Sequence, residues 1–256
     1  MQEIYHLDDI KKIILVASAK GGVGKSTVAI NIATALSQLK YNVGILDADI
    51  YGPSIPKMLN LKEKPKISKD NRFIPLEKFN MKCMSIGFLV DQKTPLIWRG
   101  PMIIKALKQM LHGVVWTGVD ILVVDLPPGT GDVQLTLSQK VNISGVVIVS
   151  TPQELALIDA IKGINMFKKV NVPILGMIEN MSYLKTKSNE IIDIFGKGSV
   201  KQAAIDNSIN FLGEIPIEKK ISEAGDKGIP YLIENSAEDA GKKIFEIAKE
   251  IEKKIK

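Results

Sequence analysis

The chain is predicted to be an α/β protein, a mostly parallel, doubly wound sheet flanked by helices. Short β-branched runs alternate with stretches of helical periodicity from one end to the other. The strand candidates are continuous aliphatic runs, the pattern of strands buried on both faces. No internal repeat, low-complexity tract or Pro/Gly-rich linker divides the chain, so residues 1–256 are expected to form one domain.

The elements follow in order. Residues 13–17 read as a buried strand, and after a glycine-rich turn Val28, Ile32, Ala35, Leu36 and Leu39 repeat at helical spacing. Residues 43–46 form the next strand. Residues 51–100 are the least regular part, rich in Lys and Pro, with a β-excursion expected around 84–90 before a helix after Pro101. Residues 121–124, 146–149, 174–178 and 211–215 are the remaining strands. A helix over 154–169 carries Leu157, Ile161, Ile164 and Phe167 on one face. The last helix is expected to start at Ser236 as N-cap, with Asp239 three residues on, and to turn Ala240, Ile244, Ile247, Ile251 and Ile255 inward.

Composition narrows the function classes. With 256 residues, 45% apolar and 24% charged, the chain can bury a large core, and disorder is not expected. The net charge of +6 rests on lysine, since only Arg72 and Arg99 are arginines. Base readout favours arginine's planar fork, so no nucleic-acid partner is expected. The single cysteine, Cys83, and two histidines, His6 and His112, exclude an intrachain disulfide and a Cys/His zinc site. Residues 1–12 are too polar for a signal peptide, and runs such as 145–149 fall far short of the ~20 apolar residues of a membrane span. No transmembrane segment and a cytoplasmic location are expected.

The chemistry begins where the first strand meets Lys20-Gly21-Gly22-Val23-Gly24-Lys25-Ser26-Thr27 and a helix follows. Strand, glycine loop and helix are the context of a P-loop. The glycines let successive N–H groups converge on phosphate oxygens, the helix N-terminus adds positive potential, and Lys25 reaches the β- and γ-phosphates. Ser26 offers a hydroxyl to Mg²⁺. Where the usual motif starts with Gly this chain has Ala19, followed by a second lysine. That departure resembles the deviant Walker A group, which includes MinD/ParA, nitrogenase iron protein and Mrp/ApbC ATPases. The resemblance implies a SIMIBI-type P-loop fold, a homodimer, and Lys20 reaching the partner subunit's nucleotide.

Two further strand ends supply carboxylates. Ile121-Leu122-Val123-Val124-Asp125 places one acid after four aliphatics, at the strand end where ligands sit in such sheets, and Asp125 is expected to hold a Mg²⁺-bound water. The stiff turn Leu126-Pro127-Pro128-Gly129-Thr130-Gly131-Asp132 suits a sensor of the γ-phosphate. Asp47-Ala48-Asp49 offers two acids, one to orient the attacking water. The deviant Walker resemblance selects Asp49 as catalytic and near the Mg²⁺, with Asp47 as a structural or Mg²⁺-proximal partner.

Longer motifs tighten the resemblance to the Mrp/ApbC family across nearly the whole chain. They are Asp47-Ala48-Asp49-Ile50-Tyr51-Gly52-Pro53-Ser54-Ile55-Pro56, Trp98-Arg99-Gly100-Pro101-Met102, Ile178-Glu179-Asn180-Met181-Ser182, Ile194-Phe195-Gly196 and Glu223-Ala224-Gly225-Asp226-Lys227-Gly228, with the turn from Asp125 to Asp132. The family implies cytoplasmic homodimeric ATPases that carry or help assemble iron–sulfur clusters, with scaffold or apo-client proteins as partners. It also implies that Asn180 hydrogen-bonds adenine and that Pro216 borders the base. Cluster-binding members carry a Cys-x-x-Cys shortly after the motif ending at Ser182. Here Tyr183-Leu184-Lys185-Thr186-Lys187-Ser188-Asn189-Glu190 has no cysteine. Iron centres want thiolates, so ATP and Mg²⁺ are expected ligands and a resident [4Fe-4S] cluster is not. Two other functions fit the same P-loop: a MinD-like positional ATPase bound to membrane through its last helix, and a nucleotide-dependent adaptor with little turnover.

Overall fold

A computed structural model describes residues 7, 9–89, 100–186 and 188–256. Val90, Trp98 and Arg99, singled out above, lie outside the described residues.

The first strand, β1 (Ile10–Ala17), shows how the layers arise. Side chains alternate across a strand, so Ile14 and Val16 enter one apolar cluster while Ile13, Leu15 and Ala17 enter another on the opposite face. A strand apolar at every position from Ile13 to Ala17 therefore needs a cover on both sides. The chain continues through α1 (Lys25–Gln38), β2 (Val43–Asp47), α2 (Ile55–Met58), β3 (Lys66–Ile67), β4 (Phe73–Ile74), β5 (Leu76–Lys78), β6 (Met81–Ser85) and α3 (Gly100–His112). Next come β7 (Val119–Asp125), α4 (Asp132–Lys140), β8 (Gly145–Ser150), α5 (Glu154–Lys169), β9 (Ile174–Lys185), β10 (Ile191–Ile192) and α6 (Ser199–Asp206). The chain closes with β11 (Phe211–Ile217), α7 (Lys219–Lys227), α8 (Tyr231–Asn235) and α9 (Asp239–Ile255).

The strands β11-β9-β8-β1-β7-β2-β6 pair in that order, all parallel. Antiparallel β5 edges β6, and β10 pairs with the far end of β9. The expected fold is thus the observed one: a mostly parallel central sheet flanked by helices. Its first strand lies in the middle, where successive connections leave in opposite directions, the place at which such sheets open a crevice at their carboxyl edge. Register aligns the residues there, with Val16 and Asp47 both opposite Asp125.

Several elements differ from expectation. The excursion placed at 84–90 is β6, an integral parallel strand beside β2, followed by a 3-10 turn at Ile86–Phe88. Helix α1 is buried nearly all round between Val28 and Leu36, because α8 and α9 cover the face turned away from the sheet. Helix α5 buries Ala156, Ala160, Gly163, Ile164 and Phe167, while Leu157 and Ile161 are only half-buried. The last helix is capped by Glu238, with Ser236 ending α8 instead.

The inward stripe of α9 holds as expected: Ile244, Ile247, Ile251 and Ile255 join the cluster that contains α1. This stripe is the only face with which α9 could enter a membrane, and it is occupied by the core. Ile251 is fully buried, so Ile251→Ala is expected to lower the unfolding free energy by ~2–5 kcal/mol through lost transfer energy and a residual cavity. Urea titration checks this, and an unchanged midpoint would contradict the packing of α9.

Candidate functional site

Between β1 and α1 the backbone turns through Gly22 and Gly24, with φ of 83° and 80°. Both lie in the left-handed region that glycine occupies without steric strain. A Cβ on Gly24 would also collide with the Asn180 amide. The Gly129 N–H donates to the Ser18 carbonyl (2.9 Å), joining this loop to the turn after β7. Gly24 is the N-cap of α1 and brings no side-chain cap, which leaves the N–H groups of the first turn for an anion. Val23 is buried in the core, while Gly21 and Gly22 are exposed and Ser26 and Thr27 half-buried.

Lys25 lies within this turn, only 6% exposed. Its Nζ donates to Asp125 Oδ1 at 2.5 Å and to Ser26 Oγ at 3.3 Å, and stands 3.8 Å from Asp49 Oδ2. Lys25, Ser26, Asp49 and Asp125, named from three separate sequence segments, therefore meet at one point. Asp125 is fully buried, and burial pushes its carboxyl above the usual range against the pull of Lys25. Its Oδ2 has no hydrogen-bond partner among the described residues. Lys20 is half-exposed on the same loop, and among the described residues its ammonium has no ion-pair partner.

The two acids after β2 separate cleanly. Asp47 accepts hydrogen bonds from Ile55 N (3.1 Å), Ser85 Oγ (2.9 Å) and Asp49 N (3.2 Å), so it ties the start of α2 to the end of β6. Burial, then the neighbouring Asp125 charge, pushes its carboxyl up to about 7. Asp49 uses Oδ1 for Tyr51 N and Gly52 N (3.3 and 3.2 Å), and its Oδ2 is the oxygen nearest Lys25.

Asn180, midway along β9, donates from Nδ2 to the Val23 carbonyl at 2.8 Å. A carbonyl only accepts, so this bond fixes the amide's orientation and leaves Oδ1 and one N–H for a ligand. Beside it a cavity of about 700 Å³ is bounded by Gly24, Thr27, Asn180 and Pro216, and closed on its far side by α2 and α7. Sequence reasoning missed Gln134. Buried in the first turn of α4, it donates from Nε2 to the carbonyls of Pro127 and Gly129 (2.7 and 2.9 Å) and fixes the turn after β7. A long amide just after a Pro/Gly turn is the signal that could have found it, since such a turn has carbonyls to satisfy.

The family model described as the NUBPL iron-transfer P-loop NTPase of the ParA group matches residues 9–252. The chain belongs to that family. The NUBPL-type chain is 48% identical over 252 residues to the Arabidopsis thaliana iron-sulfur protein required for NADH dehydrogenase, covering 98% of this chain and 80% of that one. It is 50% identical to the Aquifex aeolicus iron-sulfur cluster carrier protein over 243 residues, 94% of this chain and 67% of the other. The nucleotide-binding protein of Archaeoglobus fulgidus, solved in complex with ADP, superposes with a TM-score of 0.76 at 36% identity, covering 88% and 89% of the two chains. MinD of Pyrococcus furiosus, at 20% identity, shares the fold alone. These comparisons favour the iron–sulfur reading over the MinD-like one.

The single cysteine of this NUBPL-type chain lies away from the loop at 183–190. Cys83 is fully buried in β6, paired with Ile45 of β2, and its thiol faces the Met81 carbonyl at 3.5 Å. Burial pushes the thiol up to about 12. Below that value the thiol stays protonated and is neither nucleophile nor ligand. Native protein at pH 8 is therefore expected to resist a disulfide reagent such as DTNB, and guanidinium-unfolded protein to react at once with one equivalent. Rapid labelling of the native form would contradict the burial of Cys83.

Proposed function

We propose that this protein is a single P-loop ATPase domain over residues 1–256. In this reading it binds Mg-ATP, hydrolyses it as a cytoplasmic homodimer, and serves iron–sulfur cluster transfer to scaffold or client proteins. The observation that carries this is the meeting of Lys25, Ser26, Asp49 and Asp125 at the mouth of the glycine loop, beside a cavity large enough for a nucleoside.

The roles follow from charge and reach. The N–H groups from Gly21 to Thr27 cradle the phosphates, and Lys25, released from Asp125, screens the β- and γ-oxygens. Asp125 suits a hard cation: a buried carboxylate with one oxygen lacking any partner among the described residues is over-supplied with negative charge. Ser26 and Asp125, with Asp49 near by, would hold Mg²⁺, some of them through water. When bound, the ion supplies charge neutralisation to the phosphates. Asp49, held by the Tyr51 and Gly52 amides, orients the attacking water. Lys20 acts on the partner subunit's nucleotide. Asn180 and Pro216 border the adenine.

The cargo is a separate matter. A [4Fe-4S] cluster bridging two subunits wants about four thiolates, and two copies of this chain bring only Cys83 twice, in each case buried. We therefore propose that the isolated protein holds no stable cluster and that a partner contributes the thiolates. Anaerobic reconstitution with iron counting tests this. About four irons per dimer, lost in Cys83→Ser, would restore direct carriage.

Lys25→Ala is expected to lose Mg-ATP binding, measured by calorimetry; wild-type affinity in the variant would remove the phosphate site. Lys20→Ala should bind ATP yet lose about 10³-fold or more in phosphate release, the scale of cations supplied from a partner subunit. Turnover per subunit that stays flat on dilution would count against the dimer. Asp49→Ala should spare binding and stop hydrolysis, whereas Asp47→Ala should chiefly destabilise the fold.

A further inference from the structure

The cavity beside the P-loop has more aliphatic and aromatic wall than phosphate recognition requires. Two of its residues are placed there by unusual backbone. Met181 has φ of 56° in the middle of β9, a left-handed conformation that a side chain with a Cβ seldom adopts. Register with β11 breaks at the same point, passing from Asn180 opposite Ile215 to Leu184 opposite Ile217. This break puts Asn180 beneath the P-loop carbonyl and Met181 on the cavity wall, before Ser182 Oγ re-anchors the strand by donating to the Ile215 carbonyl at 3.1 Å.

Phe195 comes to the same cavity from the other end of the β9–β10 excursion. It precedes two left-handed glycines, Gly196 and Gly198, with φ of 98° and 66°. It is half-exposed, and the segment that carries it is held on its C-terminal side by two anchors. The buried Glu179 carboxylate accepts from Val200 N at 3.0 Å, in the first turn of α6, and Ser199 Oγ donates to the Pro152 carbonyl at 2.6 Å. An aromatic ring left half-exposed on a firmly held segment, at the rim of an apolar cavity, is what a planar ligand needs for stacking. A thioether on the same wall adds a polarisable contact.

We infer that Phe195 and Met181 form a stacking clamp for the nucleotide's base, and that Glu179 is the positioning residue that holds Phe195 at the cavity. The clamp rests on the nucleotide reading above and adds to it a source of preference for a base-bearing ligand over bare polyphosphate.

The test titrates the full chain with Mg-ATP as wild type, Phe195→Ala and Phe195→Trp, and adds inorganic tripolyphosphate to the Trp variant. Phe195→Ala is expected to weaken ATP by about 10- to 100-fold, the range of one base–aromatic stack, raising KM with kcat little changed. Phe195→Trp should keep the affinity, and its added fluorescence, taken as the difference from wild type, should be quenched by ATP and not by tripolyphosphate. Glu179→Ala should reproduce the rise in KM, and Glu179→Gln, whose carbonyl still accepts from Val200 N, should recover most of it. ATP affinity within twofold of wild type in Phe195→Ala would overturn the clamp. So would Trp fluorescence indifferent to ATP or equally quenched by both ligands, which remains decisive if Phe195→Ala does not fold. Equal loss of kcat in Glu179→Ala and Glu179→Gln would overturn the positioning role. A wild type that binds no Mg-ATP would overturn the clamp together with the reading on which it rests.

Discussion

Lys25 against Asp125 is the contact around which this structure is arranged. Asp47 and Asp125 end adjacent parallel strands in direct register, and Asp49 follows two residues later, so three carboxyl groups crowd one buried edge. Among the described residues Lys25 is the only ion-pair partner of Asp49 and Asp125. Carboxylates in this position tend toward protonation, as the raised Asp47 and Asp125 show. A buried ion pair of this kind adds little net stability, because desolvation of both charges offsets their attraction. Its consequence is functional. Acidity in excess of one lysine creates a standing demand for further positive charge, of the kind a divalent cation supplies.

The fold holds that arrangement through hydrogen bonds made by its neighbours. Asp47 is occupied by Ile55, Ser85 and Asp49, which leaves Asp49 free to turn one oxygen toward Lys25. Asn180 binds the P-loop carbonyl of Val23, so β9 and the glycine loop are joined by one amide. Gln134 does the same for the turn after β7. Each link is a polar side chain satisfying a backbone group that the loops would otherwise leave unpaired.

Most of the sheet was legible because parallel strands buried on both faces are written as unbroken aliphatic runs, as in 121–124 and 146–149. The P-loop and the strand-terminal acids were legible because their chemistry restricts residue type. Other features depend on tertiary context that local pattern does not carry. Strand β6 contains Lys82 among its apolar residues and lies in the sheet only because β2 is its neighbour. Glu238 replaces Ser236 as the cap of α9 because α8 extends through Asn235 and absorbs the serine as its own C-cap. Met181 reads as an ordinary strand residue, and its left-handed backbone follows from where Asn180 must sit. The choice between Asp47 and Asp49 turned on resemblance, because the sequence does not show the partners of each oxygen.

Cys83 is tied to the same ladder that holds Asp47 in place. Cys83 pairs with Ile45 in the β2–β6 ladder, and two residues on Ser85 pairs with Asp47 and donates to its carboxylate. The Cys83 side chain projects off the sheet into the apolar cluster shared with α1, so exposing the thiol would mean displacing the cover on that face. A ligand cysteine at this position would therefore disturb α1, whose first residue is Lys25. The turn after β9 is closed locally by Thr186, Asn189 and Glu190, and residues 183–190 carry no thiol. The placement of Cys83 fits the proposal that a partner supplies the thiolates for any cluster.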